Sequence, residues 1–133
     1  MSTTQILRSC LETLEEFVYD PQPPIMWPGL QEDPPETGMW LEPMFFPNTP
    51  NNIAWDDDSC IDTRGIFQIL VYFRPGTGTV EPISLADALI AHYTKGLYLG
   101  PVRVRKRAWQ TLAITEDASK LFIPVTVPYM GLT

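Results

Sequence analysis

The sequence predicts an α+β fold, and one stretch, Arg64–Gly96, carries most of that reading. It begins with Gly65–Phe73, where Phe67, Ile69, Val71 and Phe73 alternate with Ile66, Gln68, Leu70 and Tyr72. One face of that strand is wholly apolar and the other mostly so, as a central strand requires. A glycine-rich turn, Pro75-Gly76-Thr77-Gly78-Thr79, follows it. The third observation is an amphipathic helix. Leu85, Ala88, Leu89, His92 and Tyr93 share one face, Ser84 can cap it with Asp87 at N3 and Ile83 stapled to Ala88, and Gly96 supplies a stop.

The remaining elements follow in order. Ser2 and Gln5 form a capping box before a helix whose apolar stripe is Leu7, Cys10, Leu11, Leu14, Phe17 and Val18. Pro21, Pro23 and Pro24 are expected to end that helix near Tyr19. Residues 20–38 hold six prolines and read as an extended connection, with one short strand near Ile25–Trp27. Trp27 and Trp40 are expected to be partly buried. Met39–Phe46 reads as a strand that Pro43 pushes towards an edge or a bulge. A long polar loop, about 47–63, then leads to the central strand. After the second helix, Leu97–Leu112 predicts a long strand broken near Gly100-Pro101, and Thr115–Ser119 a polar turn. Lys120–Tyr129 is the last strand, with Leu121, Ile123, Val125 and Val127 inward; Pro124 and Pro128 suggest an edge over part of its length. The order is α-β-β-α-β-β.

The 133 residues fit a single domain, 1–133, and 44% of them are hydrophobic, enough for one core without staples. No apolar run approaches the ~20 residues that a bilayer crossing needs. The first residues lack a basic leader and an apolar h-region, so no signal peptide is expected. Cys10 and Cys60 are read as free thiols in a chain made inside the cell. The net charge of −7 is split: residues 1–62 carry twelve carboxylates against Arg8, giving −11, and residues 63–133 carry eight bases against four carboxylates, giving +4. Such a division suits head-to-tail contacts between copies if the fold keeps the halves apart.

No constellation argues for catalysis. The 75–79 turn lacks the Walker and dinucleotide fingerprints, and Glu81 and Asp87 would repel an anion at the helix start. His92 is the only histidine and has no ligand or base at useful spacing. Cys10 lies on a buried helix face, and only Arg64 stands near Cys60 to lower its pKa. Asp56, Asp57 and Asp58 lack the spacing and glycine of a calcium loop and read as a solvated run. No metal or cofactor is expected. In RVRKR, Arg103, Arg105 and Arg107 alternate along the predicted strand and project from one face. Contact with an acidic partner fits them better than a solvated edge, and nucleic acid ranks last in so acidic a chain.

Gly65, Phe67, Gln68, Val71, Tyr72, Pro75, Gly76 and Gly78, the helix core Ala86, Asp87 and Ala88, and the terminal Pro124, Val125 and Pro128 together resemble the tail terminator (tail completion) proteins of long-tailed phages. The resemblance spans most of the chain and is strongest over 64–96 and 121–129. Residues 20–62 are more acidic and proline-rich than the family pattern, and RVRKR matches no family motif. Joined to the element order, the resemblance implies two helices packed on one face of a mixed, mostly antiparallel sheet of four to five strands. It further implies a homo-oligomeric ring, commonly of six subunits, that caps the tail tube and joins it to the head connector. DNA would pass through that ring without specific binding. The partners implied are the tail tube protein and the connector protein, and the location is the neck of the virion, with synthesis in the host cytoplasm. An acidic lumen would keep the genome from sticking, so Glu32, Asp33, Glu36 and some of Asp56 to Asp58 are expected at the lumen or a rim. Asp56, Asp57, Asp58, Arg103, Arg105 and Arg107 are the expected subunit or partner contacts. The alternatives are another neck or stopper protein, or a monomeric acidic binding or inhibitor module; an enzyme ranks last.

Overall fold

A computed structural model of the protein describes residues 3–19, 22–27, 29, 38–47, 51–52, 61–74, 78–111, 115–117 and 120–132. Among these, the elements run α1 (Thr3–Glu15), β1 (Trp40–Pro47), β2 (Asn51–Asn52), β3 (Ile61–Phe73), α2 (Val80–His92), β4 (Tyr98–Leu99), β5 (Val102–Val104), β6 (Trp109–Gln110), β7 (Thr115–Asp117) and β8 (Lys120–Leu132). The sheet runs β1-β3-β8-β5-β4, with β2 extending along β3, and β6 and β7 along β8. Every strand pair is antiparallel; Ile25 adds a single parallel bridge to Leu41. With two helices and a five-strand path, this is the α+β architecture that the sequence predicts.

β3 is the central strand. It pairs with β8 from Asp62↔Leu132 to Phe73↔Leu121, and with β1 from Trp40↔Tyr72 to Pro47↔Gly65. The register aligns Phe67, Ile69 and Val71 with Val127, Val125 and Ile123, all buried under the helices. Each such side chain contributes roughly 1.5–3 kcal/mol by leaving water, and a one-residue slip would turn the whole row outward. The opposite face carries a smaller cluster. Trp40 and Tyr72 stack at 5.2 Å beside Leu70, with Met26 and Phe122 packed on them. Trp40 is thus fully buried, more than the sequence suggested.

α1 buries Ile6, Cys10 and Leu14, and Phe17 continues the row beyond its end. Leu7 and Leu11, assigned to that row from sequence, are only half-buried, and Val18 is exposed. The helix stops at Glu15, earlier than the prolines alone require. The Gln22 side chain explains this: its Nε2 donates to the Phe17 carbonyl (3.1 Å) and its Oε1 accepts from the Tyr19 amide (2.8 Å), turning the chain back.

α2 starts at Val80 with Thr79 as N-cap, so Ser84 lies inside the helix and not at its start. Pro82 in the first turn is harmless, because its missing N–H would have no intrahelical partner there. The helix ends at His92, and Gly96 belongs to the next turn, donating its N–H to Val104 (2.9 Å). Two aromatic donors bind α2 to α1. His92 Nε2 carries the proton and donates to the Thr13 carbonyl (2.7 Å), one of the last four of α1. The Tyr93 hydroxyl donates to the Cys10 carbonyl (3.1 Å). Tyr93→Phe is therefore expected to cost about 1 kcal/mol, seen as a lower urea midpoint at unchanged m-value.

Two strand expectations need correction. The segment 97–112 is not one broken strand. β4 and β5 pair with each other as a tight hairpin, Tyr98↔Arg103 and Leu99↔Val102, around Gly100-Pro101. The hairpin arm from β1 to β3 is also longer than expected, since Asn51 and Asn52 pair with Asp62 and Ile61 inside the predicted 47–63 loop.

β8 lies inside the sheet and not at an edge, yet its prolines act as their chemistry demands. Pro128 and Pro124 accept, through their carbonyls, N–H groups of Arg105 (2.8 Å) and Thr111 (3.0 Å). A strand residue points its nitrogen and carbonyl to the same side, so the missing donors face away from β3. On that side the partner is fragmented into β5, β6 and β7, and the ladder breaks once at Pro128 and once at Pro124.

Candidate interaction surfaces

The described titratable groups are tied into the fold. Among them no three His, Cys, Asp or Glu side chains gather where a metal could sit. His92 is committed to Thr13. Burial pushes the Cys10 thiol up to about 12, the state of an inert core group. Burial likewise pushes the Tyr129 phenol up to about 12; its hydroxyl has no hydrogen-bond partner, and its ring stacks on Phe45 at 5.8 Å. No described helix is long and apolar enough to cross a membrane. Cys60 and residues 75–77 of the glycine turn lie outside the described residues.

The basic run is exposed, but it is not one strand face. β5 ends at Val104, so of the three arginines only Arg103 sits on a strand. Its guanidinium lies 4.8 Å from the Tyr98 ring, across the hairpin, and its Nε donates to the Gly96 carbonyl. Arg105 follows the strand, held by its backbone bond to Pro128. Arg107 reaches a different neighbourhood. It walls a groove against the outer face of α2, together with Asp87, Ile90, Ala91, Thr94 and Lys95, of about 450 Å³. The groove continues past Ala108 and Trp109 to Gln110, whose Nε2 donates to Asp87 (2.6 Å). Lys106 lies 5.0 Å over the Trp109 ring, which is exposed, as is Tyr98.

A second groove runs along the outside of α1. Leu7, Leu11 and Trp27 line it, and Arg8, Glu12 and Glu15 rim it, enclosing about 330 Å³. Neither groove is foreseen from sequence. The available signal was the width of the α1 stripe: Leu7 and Leu11 lie off the Ile6–Cys10–Leu14 line and stay half-buried, although Leu11 still packs on the margin of the core. Glu32, Asp33, Glu36, Asp56, Asp57 and Asp58 lie outside the described residues.

Comparison with known proteins agrees with the residues. Three solved protein chains match this one. For one of them, whose name states no function, the TM-score is 0.75 at 24% identity, covering 100% of this chain and 96% of that one, which establishes a shared fold. No curated protein matches. The family model described as "Phage tail terminator protein" matches residues 5–129. That span includes both helices' buried faces, all of β3 and β8 through Tyr129, so the chain belongs to the phage tail terminator family and is a structural component of a phage tail.

Proposed function

We propose that this subunit assembles into a ring, of six copies, that caps the finished tail tube and joins it to the head connector protein. The observation that carries this reading is the family match over nearly the whole chain, 5–129. The surface chemistry supports it: contacts between copies can use the exposed bases at 103–107 on one side and the carboxylate-rich half of the sequence on the other. In this reading Arg103, Arg105 and Arg107 contact a neighbour, as do Asp56 to Asp58, while Glu32, Asp33 and Glu36 face the lumen. The genome passes without specific binding because the net charge of −7 repels it. The chain is made in the host cytoplasm and enters the virion at the neck.

Electron microscopy of particles made without this protein tests the proposal. Overlong tails, or tails not joined to heads, are the expected result. Normal tails on leaking heads would move the protein to another neck position, and normal virions would sink both readings.

A further inference from the structure

We infer that one copy docks the basic flank of α2 into the acidic-rimmed groove of α1 on the next copy. This rests on the ring reading and specifies the surfaces that such a ring would join.

The two grooves are chemically complementary. Along α1, the apolar floor of Leu7, Leu11 and Trp27 is bordered by Glu12 and Glu15, with exposed Glu16 beyond, against the single base Arg8. At α2, Lys95 and Arg107 line the groove and exposed Lys106 lies over Trp109 at its far end, against the single carboxylate Asp87, which is engaged by Gln110. The ridge that walls this groove carries an aromatic knob, Trp109, with the Lys106 ammonium over its face. Trp109 is 40% exposed, costly to leave in water yet well suited to an apolar slot with a carboxylate rim.

Geometry favours a second copy as occupant. Cys10 and Thr13 of α1, and Phe17 just beyond it, meet the C-terminal end of α2, while the groove uses Thr4, Leu7, Arg8, Leu11, Glu12 and Glu15, the opposite side of the helix. On α2, Leu85 and Leu89 face the core, as does Tyr93 at its C-cap, while Asp87, Ile90 and Ala91, with Thr94 just beyond the helix, face the groove. The grooves share no residue, so each molecule presents both halves of the contact at once. Joining two unlike patches in this way is heterologous, the arrangement that propagates from copy to copy and can close into a ring. Complementary charge then fixes orientation and opposes the wrong patches meeting.

Cross-linking in whole phage particles tests this. Particles carrying Glu12→Cys and Arg107→Cys together, treated with a short bis-maleimide, are expected to give covalent dimers and higher multimers that neither single variant gives. The single variants control for Cys10 and Cys60. Absence of these species in normally assembled particles would overturn the assignment. An amine-reactive cross-linker applied to the same particles separates the two levels. Multimers with that reagent alone would leave the ring standing on other surfaces, and no multimers with either would remove the ring as well. A charge exchange covers variants that fail to assemble. Glu12→Lys with Glu15→Lys should cut phage yield about tenfold or more, and adding Lys106→Glu with Arg107→Glu should restore it. Loss without restoration, in protein whose circular dichroism shows a native fold, would count against the docking.

Discussion

Gly65→Ala is expected to destabilise the protein by about 3 kcal/mol, near the top of the range for overpacking a closed site. Gly65 is buried on β3, directly opposite Tyr129. A methyl group there would overlap the Tyr129 hydroxyl oxygen, approach its Cζ to 2.6 Å and the Phe46 carbonyl oxygen to 2.9 Å. The ring cannot swing aside, because Tyr129 is fully buried and stacked on Phe45. Nor can the carbonyl retreat, since β1 is registered on β3 at Phe46↔Ile66 and Pro47↔Gly65. Thermal unfolding should show a fall of roughly 10 °C for a domain of this size. A double-mutant cycle with Tyr129→Leu identifies the clash: the pair should cost clearly less than the sum of the singles, and strict additivity would show that Tyr129 is not the obstacle.

Raising the pH from 9 to 12 should remove a comparable or larger amount. The Cys10 thiol goes from 9.0 in the unfolded chain to about 12 in the fold, through burial. Tyr129 goes from 10.0 to about 12, chiefly by burial, and burial also raises Tyr93. The folded protein thus holds these protons more tightly than the unfolded chain does. Their contribution is complete below pH 9 and declines as the pH climbs towards the folded values, by roughly 1.4 kcal/mol per unit for each titrating group. Across its window from 9.0 to about 12, Cys10 alone accounts for a loss on the order of 4 kcal/mol. Domains of this kind hold only about 5–15 kcal/mol in total. Urea midpoints measured across that range should stay flat to pH 9 and then fall. Cys10→Ala should be less stable at neutral pH but flat to pH 10, where the tyrosines begin to titrate; an unchanged slope would place the effect elsewhere.

Much of the fold was legible because its strongest signals are local. The Phe67–Phe73 alternation fixes β3 and both of its faces, and Leu85, Leu89 and Tyr93 mark the buried side of α2; Ala88 and His92, assigned to that face, are only half-buried, while Pro82 and Ala86 are buried without having been assigned to it. What escaped depended on competition between local signals or on distant partners. Ser84 with Asp87 offered a better-looking cap than Thr79, but Pro82 fits the first turn of a helix as well as the approach to one. Gln22 ends α1 through side-chain bonds that no periodicity reveals. Pro124 and Pro128 announced a missing partner correctly, but a sequence cannot distinguish an absent neighbour from an interrupted one. The surfaces were hardest to read. Arg103, Arg105 and Arg107 look alike in the chain, yet only the return of 107–110 onto α2 puts Arg107 into a groove and leaves Arg103 on Tyr98.

The prolines at the outer rim of the sheet have a consequence for how the protein behaves before it finds its place. Leu41 directs its N–H and carbonyl outward, to Pro24 (2.9 Å) and Met26 (2.7 Å). By the two-residue period of a strand, 43, 45 and 47 also direct theirs outward, and two of these are Pro43 and Pro47. Beyond the Ile25 bridge, positions 43, 45 and 47 of the β1 rim therefore offer a stranger's backbone at most one donor, the Phe45 N–H, where an ordinary edge offers three. Strand-to-strand pairing along this rim gains little. At this rim recognition is left to side chains, whose charges can be matched, mismatched and screened by salt.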